Sequence, residues 1–317
     1  MMAAPERLLV VSLDTEVDKD ARWNVSEPAT FASTREGIPG VLSPLFDRHG
    51  IVPTYLLSPE VIEDDRSVDV LLSLGSRAEL GTHLHAEFAE PERTLRAATM
   101  AGQPTTALQC ALAPAVEEAK LAWLTELFGE RFGVAPTAFR AGRYAIGPHT
   151  LEVLARLGYR VDSSVTPGVR WRYAEGTVDH RDRPAEPEVV QTRGGPIVEL
   201  PVGVRAGRVA QRLAEVGGPA GRAARRLLGP AARQQWLRPS WLDGPELIEY
   251  VERHHDRTLV LMLHSMEIVA GASPYAADRA GVRRIVRAMD ELFEHCIRRG
   301  IRPCGMTEAA RHVSGAA

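Results

Sequence analysis

The feature that most restricts the fold of this 317-residue chain is its alternation of short apolar runs with amphipathic helical stretches. Runs at 8–13, 51–57, 79–83, 137–140, 159–162, 197–201 and 258–264 are short and bounded by charge or turn residues, so they are expected to be strands. Helices are expected over 36–49, 68–74, 114–133, 148–157, 245–254 and 278–299, several of them closed by a glycine such as Gly50, Gly158 or Gly300. A last short strand is expected over 301–306. Strand and helix alternating in this way predict a parallel sheet with helices outside, and seven or eight such units favour a closed barrel over an open sheet. The phosphate-binding pattern GxGxxG follows none of the strands, which weighs against an open dinucleotide-binding sheet.

Composition narrows the class. Hydrophobic residues make up 44% and charged residues 25%, enough for one globular domain over 1–317. A net charge of −3 gives no whole-chain attraction to nucleic acid, and no nucleic-acid-binding motif is present. Cys110, Cys296 and Cys304 lack metal-ligand spacing and cannot all pair, which suits a reducing compartment. The first residues lack the apolar core of a signal peptide, and no stretch approaches the length of a membrane span, so a cytoplasmic protein is expected. One segment departs from the rest. Residues 205–238 hold eight arginines against one acid, Glu215, and read as two short helices broken at Gly217-Gly218-Pro219. This basic helical insert, taken as a lid over 205–240, is either a solvated face or a docking surface for an anionic group such as a substrate phosphate.

The strand ends carry the chemistry. The first run ends in Asp14 and Glu16, and an extended backbone sends both side chains off the same side. The third run ends at His83, followed by His85 and Glu87; the fourth ends in Arg140, with Arg143 and Tyr144 beyond; the seventh ends in His264. Barrels of parallel strands place their active sites at these C-terminal ends. Glu16, His83, His85 and Glu87 offer the nitrogen and oxygen donors that suit Zn²⁺ or another divalent transition metal, and three protein ligands would leave a position open for water. Asp14 then remains as a base, His264 as an acid from across the barrel, and Arg140 as the cation that keeps Asp14 ionised.

These motifs resemble those of the polysaccharide deacetylases with the NodB-type fold, carbohydrate esterase family 4. The matching stretches occur in order: Ser12-Leu13-Asp14-Thr15-Glu16, Glu79-Leu80-Gly81-Thr82-His83, Phe139-Arg140-Ala141-Gly142-Arg143-Tyr144, Asp162-Ser163-Ser164 and Leu261-Met262-Leu263-His264. The resemblance implies a distorted (β/α) barrel of about seven parallel strands and metal-dependent hydrolysis of an N-acetyl or related acyl group on a saccharide. It implies Asp14 as base, Glu16 and His83 as metal ligands, Arg140 as the residue that orients the base, His264 as acid, and Asp162 as the carboxylate that tunes His264. Tyr144, Arg143, Glu87 and Trp171 are expected to face the substrate. Zinc is the expected ion, with cobalt, nickel and manganese as alternatives.

The chain departs from the family pattern twice. The second metal histidine usually lies four residues after the first, where this chain has Glu87; His85 offers itself instead at i+2. A strand-like backbone would aim His83 and His85 the same way, whereas a helical turn would favour Glu87. Gly142 and Arg143 stand where a proline and an aromatic usually follow the arginine, which leaves the expected oxyanion-binding backbone N–H open. The Asp-x-Glu and His-x-His patterns look more like the branch linked to surface glycans and lipopolysaccharide. A deformylase or an amidase acting on a non-sugar amide would use the same residues. A non-catalytic barrel that binds a glycan or a partner is the other reading, opposed by the intact Asp14, Arg140 and His264.

Overall fold

The computed structural model describes residues 6–25, 28–94, 108–205 and 234–315. β1 (Leu8–Thr15) lies at its centre, every residue buried. It pairs in parallel with β12 (Thr258–His264) on one side and β2 (Thr54–Leu57) on the other. The sheet continues through β3 (Glu79–Leu84), β4 (Ala138–Ala141), β5 (Val161–Asp162) and β9 (Gly195–Glu199), all parallel, and β8 (Glu188–Thr192) adds an antiparallel edge. Seven parallel strands thus run from β12 to β9, as the alternation predicts.

A short seam closes the circle. The backbone just past β9 turns so that the Gly203 N–H donates to Val260 O of β12 at 2.9 Å, and Leu237 donates to Gly203 O at 2.7 Å. These residues flank a two-stranded ribbon, β10 (Val204–Arg205) with β11 (Gln235–Trp236). A Cβ on Gly203 would lie 2.7 Å from Val260 O, so the seam requires glycine.

Strand alternation divides the core in two. Leu9, Val11 and Leu13 of β1 face outward into the large cluster under the helices. Leu8 and Val10 face inward with Leu56, Ala138, Val161, Val198 and Val260. Above that apolar layer the inward positions turn polar, to Ser12, Asp14, His83, Arg140 and His264. The barrel is therefore apolar at its base and polar at its C-terminal mouth.

Several helices follow their sequence signals. The long helix Arg279–Arg298 buries Ile285, Ala288, Met289, Leu292, Phe293 and Cys296 at helical spacing, and Asp278 caps it by accepting from the Gly281 N–H. Pro114–Phe132 ends at Gly133 in the left-handed region. The stretch expected as one helix over 36–49 is wound in two ways. Ser33–Leu42 is a wide helix in which the Ser43 N–H bonds to Ile38 O, and only Ser43–His49 is α-helical. Pro39 inside the wide part has no N–H to give the α-helical ladder.

One local expectation is corrected, and further elements appear that the sequence reading did not include. The strand expected over 301–306 shrinks to Arg302–Pro303, and Met306–Ser314 is a helix whose Met306, Ala309 and Ala310 plug the base of the barrel. Its first N–H groups are taken by Thr54 Oγ1 and Glu79, groups far away in the chain. The hairpin β6 (Arg170–Tyr173) with β7 (Gly176–Asp179), and the edge strand β8, carry little apolar signal because they are half exposed. The basic insert falls mostly on 206–233, outside the described residues. Among the described residues, no helix is long and apolar enough to cross a membrane.

Candidate metal centre and active site

Register places the polar groups side by side at the mouth. Asp14 pairs with His264 across β1 and β12, and His83 with Arg140 across β3 and β4. Arg140 is fully buried and divides its donors among neighbours. Its Nη1 donates to Asp14 Oδ1 at 2.7 Å, its Nη2 to Ser12 Oγ at 2.9 Å, and its Nε to Ser163 O at 2.7 Å. Burial alone would raise the Asp14 carboxyl, but the Arg140 guanidinium, with His83 and His264 nearby, outweighs it and holds Asp14 below the usual range.

Glu16, His83 and His85 form a compact donor set, with one donor atom from each within 4.8 Å of the others. Glu16 Oε1 lies 3.4 Å from His83 Nε2 and 3.5 Å from His85 Nε2. His83 Nδ1 donates to Arg140 O at 2.9 Å, which fixes the tautomer and leaves the Nε2 lone pair facing Glu16. The backbone is still extended at His85 (φ −95°, ψ 108°), so His83 and His85 leave the same face of the chain. Glu16 Oε2 is tied to Lys19. Burial disfavours a charged His85 ring, yet Glu16 and Glu87 overcome it and push His85 up to about 9. Two imidazoles and one carboxylate with donor atoms this close together fit a divalent transition metal.

Glu87 does not enter this set. It is buried behind His85, its Oε1 3.5 Å from the His85 Nδ1 side, and it pairs with Arg143 through Nη2–Oε1 at 2.5 Å and Nη1–Oε2 at 3.2 Å. Burial would raise its carboxyl, but His85 and Arg143 pull it far below the ordinary value. The expectation that Glu87 faces the substrate is therefore corrected, because both its oxygens are engaged within the protein. Gly142 packs closely against this turn: a Cβ there would meet Leu84 O at 2.7 Å and the His85 ring at 3.0 Å, so the close approach of the two strand ends requires glycine.

A second expectation is also corrected. Asp162 is not beside His264. Its Oδ1 accepts from Ser164 Oγ at 2.6 Å, and burial raises both it and Glu199, whose carboxylate lies next to it. Asp162 is on β5, between β4 and β9, and its carboxyl is taken up there by Ser164 and Glu199. The carboxylate at His264 is Glu267, one helical turn after it, with Oε1 2.9 Å from His264 Nδ1. Arg238 Nη2 also lies 2.9 Å from that nitrogen and pairs with Glu267. Burial would raise Glu267, but Arg238 and His264 bring it down to about 2. His264 Nε2 is turned to the metal set, 3.6 Å from Glu16 Oε1.

These groups line one cavity of about 330 Å³ at the mouth. Asp14, Glu16, His83, His85 and His264 form its floor, with Arg143, Tyr144 and Trp171 on one wall. Trp23, Trp241 and Tyr275 stand on the other wall, and Trp23 is edge-on to His264 at 5.2 Å between ring centroids. Sequence reasoning missed the roles of Lys19, Arg238 and Glu267. The Glu267 spacing, i+3 from His264, was a signal that could have been used, whereas Arg238 was one arginine among eight.

Comparison with known proteins gives the fold. No family model matches the chain, and none of the curated proteins does. A Mycobacterium smegmatis protein assigned to the polysaccharide deacetylases is 18% identical, over 99% of this chain and 95% of that one, with a TM-score of 0.51. A Pseudomonas aeruginosa PAO1 protein with the same assignment is 13% identical, over 97% and 90%, also at 0.51. The Puue allantoinase is 13% identical, over 98% and 90%, at 0.53. The fold is thus that of the polysaccharide deacetylase barrels, and at these identities the likeness is one of fold.

Proposed function

We propose that this protein is a metal-dependent hydrolase that removes an N-acetyl or related acyl group from an amino sugar or saccharide intermediate. The observation that carries the reading is the placement of Asp14, ionised against Arg140, beside the Glu16–His83–His85 set in one cavity, with His264 next to it. A divalent transition ion, zinc first, held by those three residues would supply Lewis acidity to the acyl carbonyl and to water.

The remaining steps belong to side chains. Asp14 Oδ1 is occupied by Arg140, so Oδ2, 4.0 Å from His83 Nε2, is the oxygen that takes the proton of the attacking water. His264 Nε2 delivers a proton to the leaving nitrogen, while Arg238 and Glu267 hold its ring from behind. Trp171 and the aromatic residues facing it give the sugar apolar faces to stack on. In this reading the basic segment 205–240 would meet a phosphate on the substrate. The free thiols Cys110, Cys296 and Cys304 suit a reducing, cytoplasmic setting.

The test is metal content and product release on a small panel. The protein is purified without added metal, assayed for zinc, cobalt, nickel and manganese, and offered chitotetraose and allantoin. Acetate from the sugar supports the proposal. Ring opening of allantoin alone would make the protein an amidase on a non-sugar amide. A chain that neither takes up metal nor turns over either compound would be a binding barrel. In an active enzyme, Asp14→Asn is expected to lower kcat by about 10³-fold while bound metal stays at the wild-type level; near-wild-type turnover would remove Asp14 as the base.

A further inference from the structure

Tyr144 is buried at the wall of this cavity, yet among the described residues its hydroxyl has no hydrogen-bond partner. A buried hydroxyl left unpaired is destabilising, and phenylalanine would fill the same space without that cost. The ring itself is firmly held. It stacks on Trp171 at 5.4 Å and 20°, lies 6.3 Å from Trp236, and packs with Val169 and Met262. Met262 is two residues before His264 on the inward face of β12, so the ring is seated on the barrel's inner wall just under the acid.

The backbone is bent to put it there. Arg143 (φ 56°) and Tyr144 (φ 57°) are consecutive non-glycine residues in the left-handed region, a strained conformation for a residue with a Cβ. Such a turn persists where the surroundings demand it. The cationic groups of the cavity are already engaged: Arg140 with Asp14, Lys19 with Glu16, Arg143 with Glu87, and Arg238 with Glu267. Among the tyrosine and tryptophan side chains that also line the cavity, Tyr144 carries a buried polar atom with no partner among the described residues.

We propose that the Tyr144 side-chain hydroxyl donates a hydrogen bond to the acyl oxygen as it becomes an oxyanion. This rests on the hydrolase reading above. Water oxygen bonds to the acyl carbon, its proton passes to Asp14, and the carbonyl electron pair moves onto the oxygen that faces Tyr144. When the tetrahedral intermediate collapses, the C–N bond breaks, the nitrogen takes the proton of His264, and acetate leaves. Tyr144 keeps its proton throughout. Burial, and after it the nearby Asp14 charge, raise the phenol well above its ordinary value, so it is a donor at any working pH. Donors aimed at a developing oxyanion in a dry site act mainly on the transition state.

The test is Tyr144→Phe, which keeps the ring, the backbone and the Trp171 stack. Wild type and variant are compared on whichever panel substrate the wild type turns over. Expected are a kcat about 10²-fold lower, a KM within about threefold, unchanged bound metal, and a Tm at or above that of the wild type. A methylphosphonamidate of glucosamine, tetrahedral at phosphorus, should bind the variant at least about tenfold more weakly, while glucosamine oligomers bind both equally. A variant within threefold of wild-type kcat would overturn the assignment and leave the hydrolase reading intact. Equal weakening of the analogue and the oligomers would make Tyr144 a packing residue only. A wild type inactive on the whole panel would defeat the hydrolase reading and this inference with it.

Discussion

At the scale of single residues, the site turns on which side of a histidine faces which carboxylate. His85 presents Nε2 to Glu16 and Nδ1 toward Glu87, so Glu87 supports the ring from behind while His85 enters the donor set. Histidine ligands depend on such partners, whose loss typically costs 10–100-fold in metal affinity. His83→Ala and His85→Ala are therefore expected to lose the metal. Glu87→Gln should keep about one ion per chain and bind it about tenfold more weakly in competition with a chelator. Loss of metal in E87Q together with retention in H85A would reverse the assignment. Asp14, Glu16, His83, Arg140 and His264 were legible in the sequence because each stands at or just past the end of an apolar run, where period-2 alternation says which side chains leave together. Asp162 was misread as the partner of His264 because a motif position says nothing about which way a buried carboxyl turns. Its own turn, Ser163-Ser164, captures it.

At the scale of elements, the hairpin β6–β7 forms one wall of the cavity through Trp171 and Tyr173, and a buried histidine helps tie it to the barrel. His180, just past β7, accepts from the Thr166 N–H through Nδ1 at 3.1 Å, and its own N–H bonds to Val169 O. Burial, helped by Arg183, pushes His180 down to about 4. The unfolded chain, with this histidine near 6.5, binds more protons than the folded one below that pH. The folded state therefore loses stability as pH falls from about 6.5 to 4, by roughly 2–3 kcal/mol from this residue, and loses no more below that. Urea unfolding at pH 7 and pH 4.5 should show a drop about 2 kcal/mol larger in wild type than in His180→Gln. Equal drops would mean that another group senses the acid. The hairpin escaped sequence reading because alternation with one exposed face, as in Arg170-Trp171-Arg172-Tyr173, lacks the apolar runs that marked the barrel strands.

At the scale of the whole molecule, barrel closure rests on one narrow seam. Gly203 meets β12 at Val260, four residues before His264, so any shift there moves the proposed acid relative to Asp14. Gly203→Ala would press a Cβ onto Val260 O and the Leu237 side chain. It is expected to cost about 1–3 kcal/mol, read as a lower Tm, and to lower kcat more than KM. An unchanged Tm would show that the seam can yield. The periodicity of the chain was sufficient to place most of the helices, the seven parallel strands and the strand ends that carry titratable groups, because those signals are local and repeat every two or 3.6 residues. It could not determine that the barrel closes through Gly203, that Met306–Ser314 plugs its base, that Lys19 holds the second oxygen of Glu16, or that Arg238 and Glu267 flank His264. Those outcomes depend on how strands far apart in the chain come into register and which buried charges then lie within reach of one another, and that is decided only when the barrel closes.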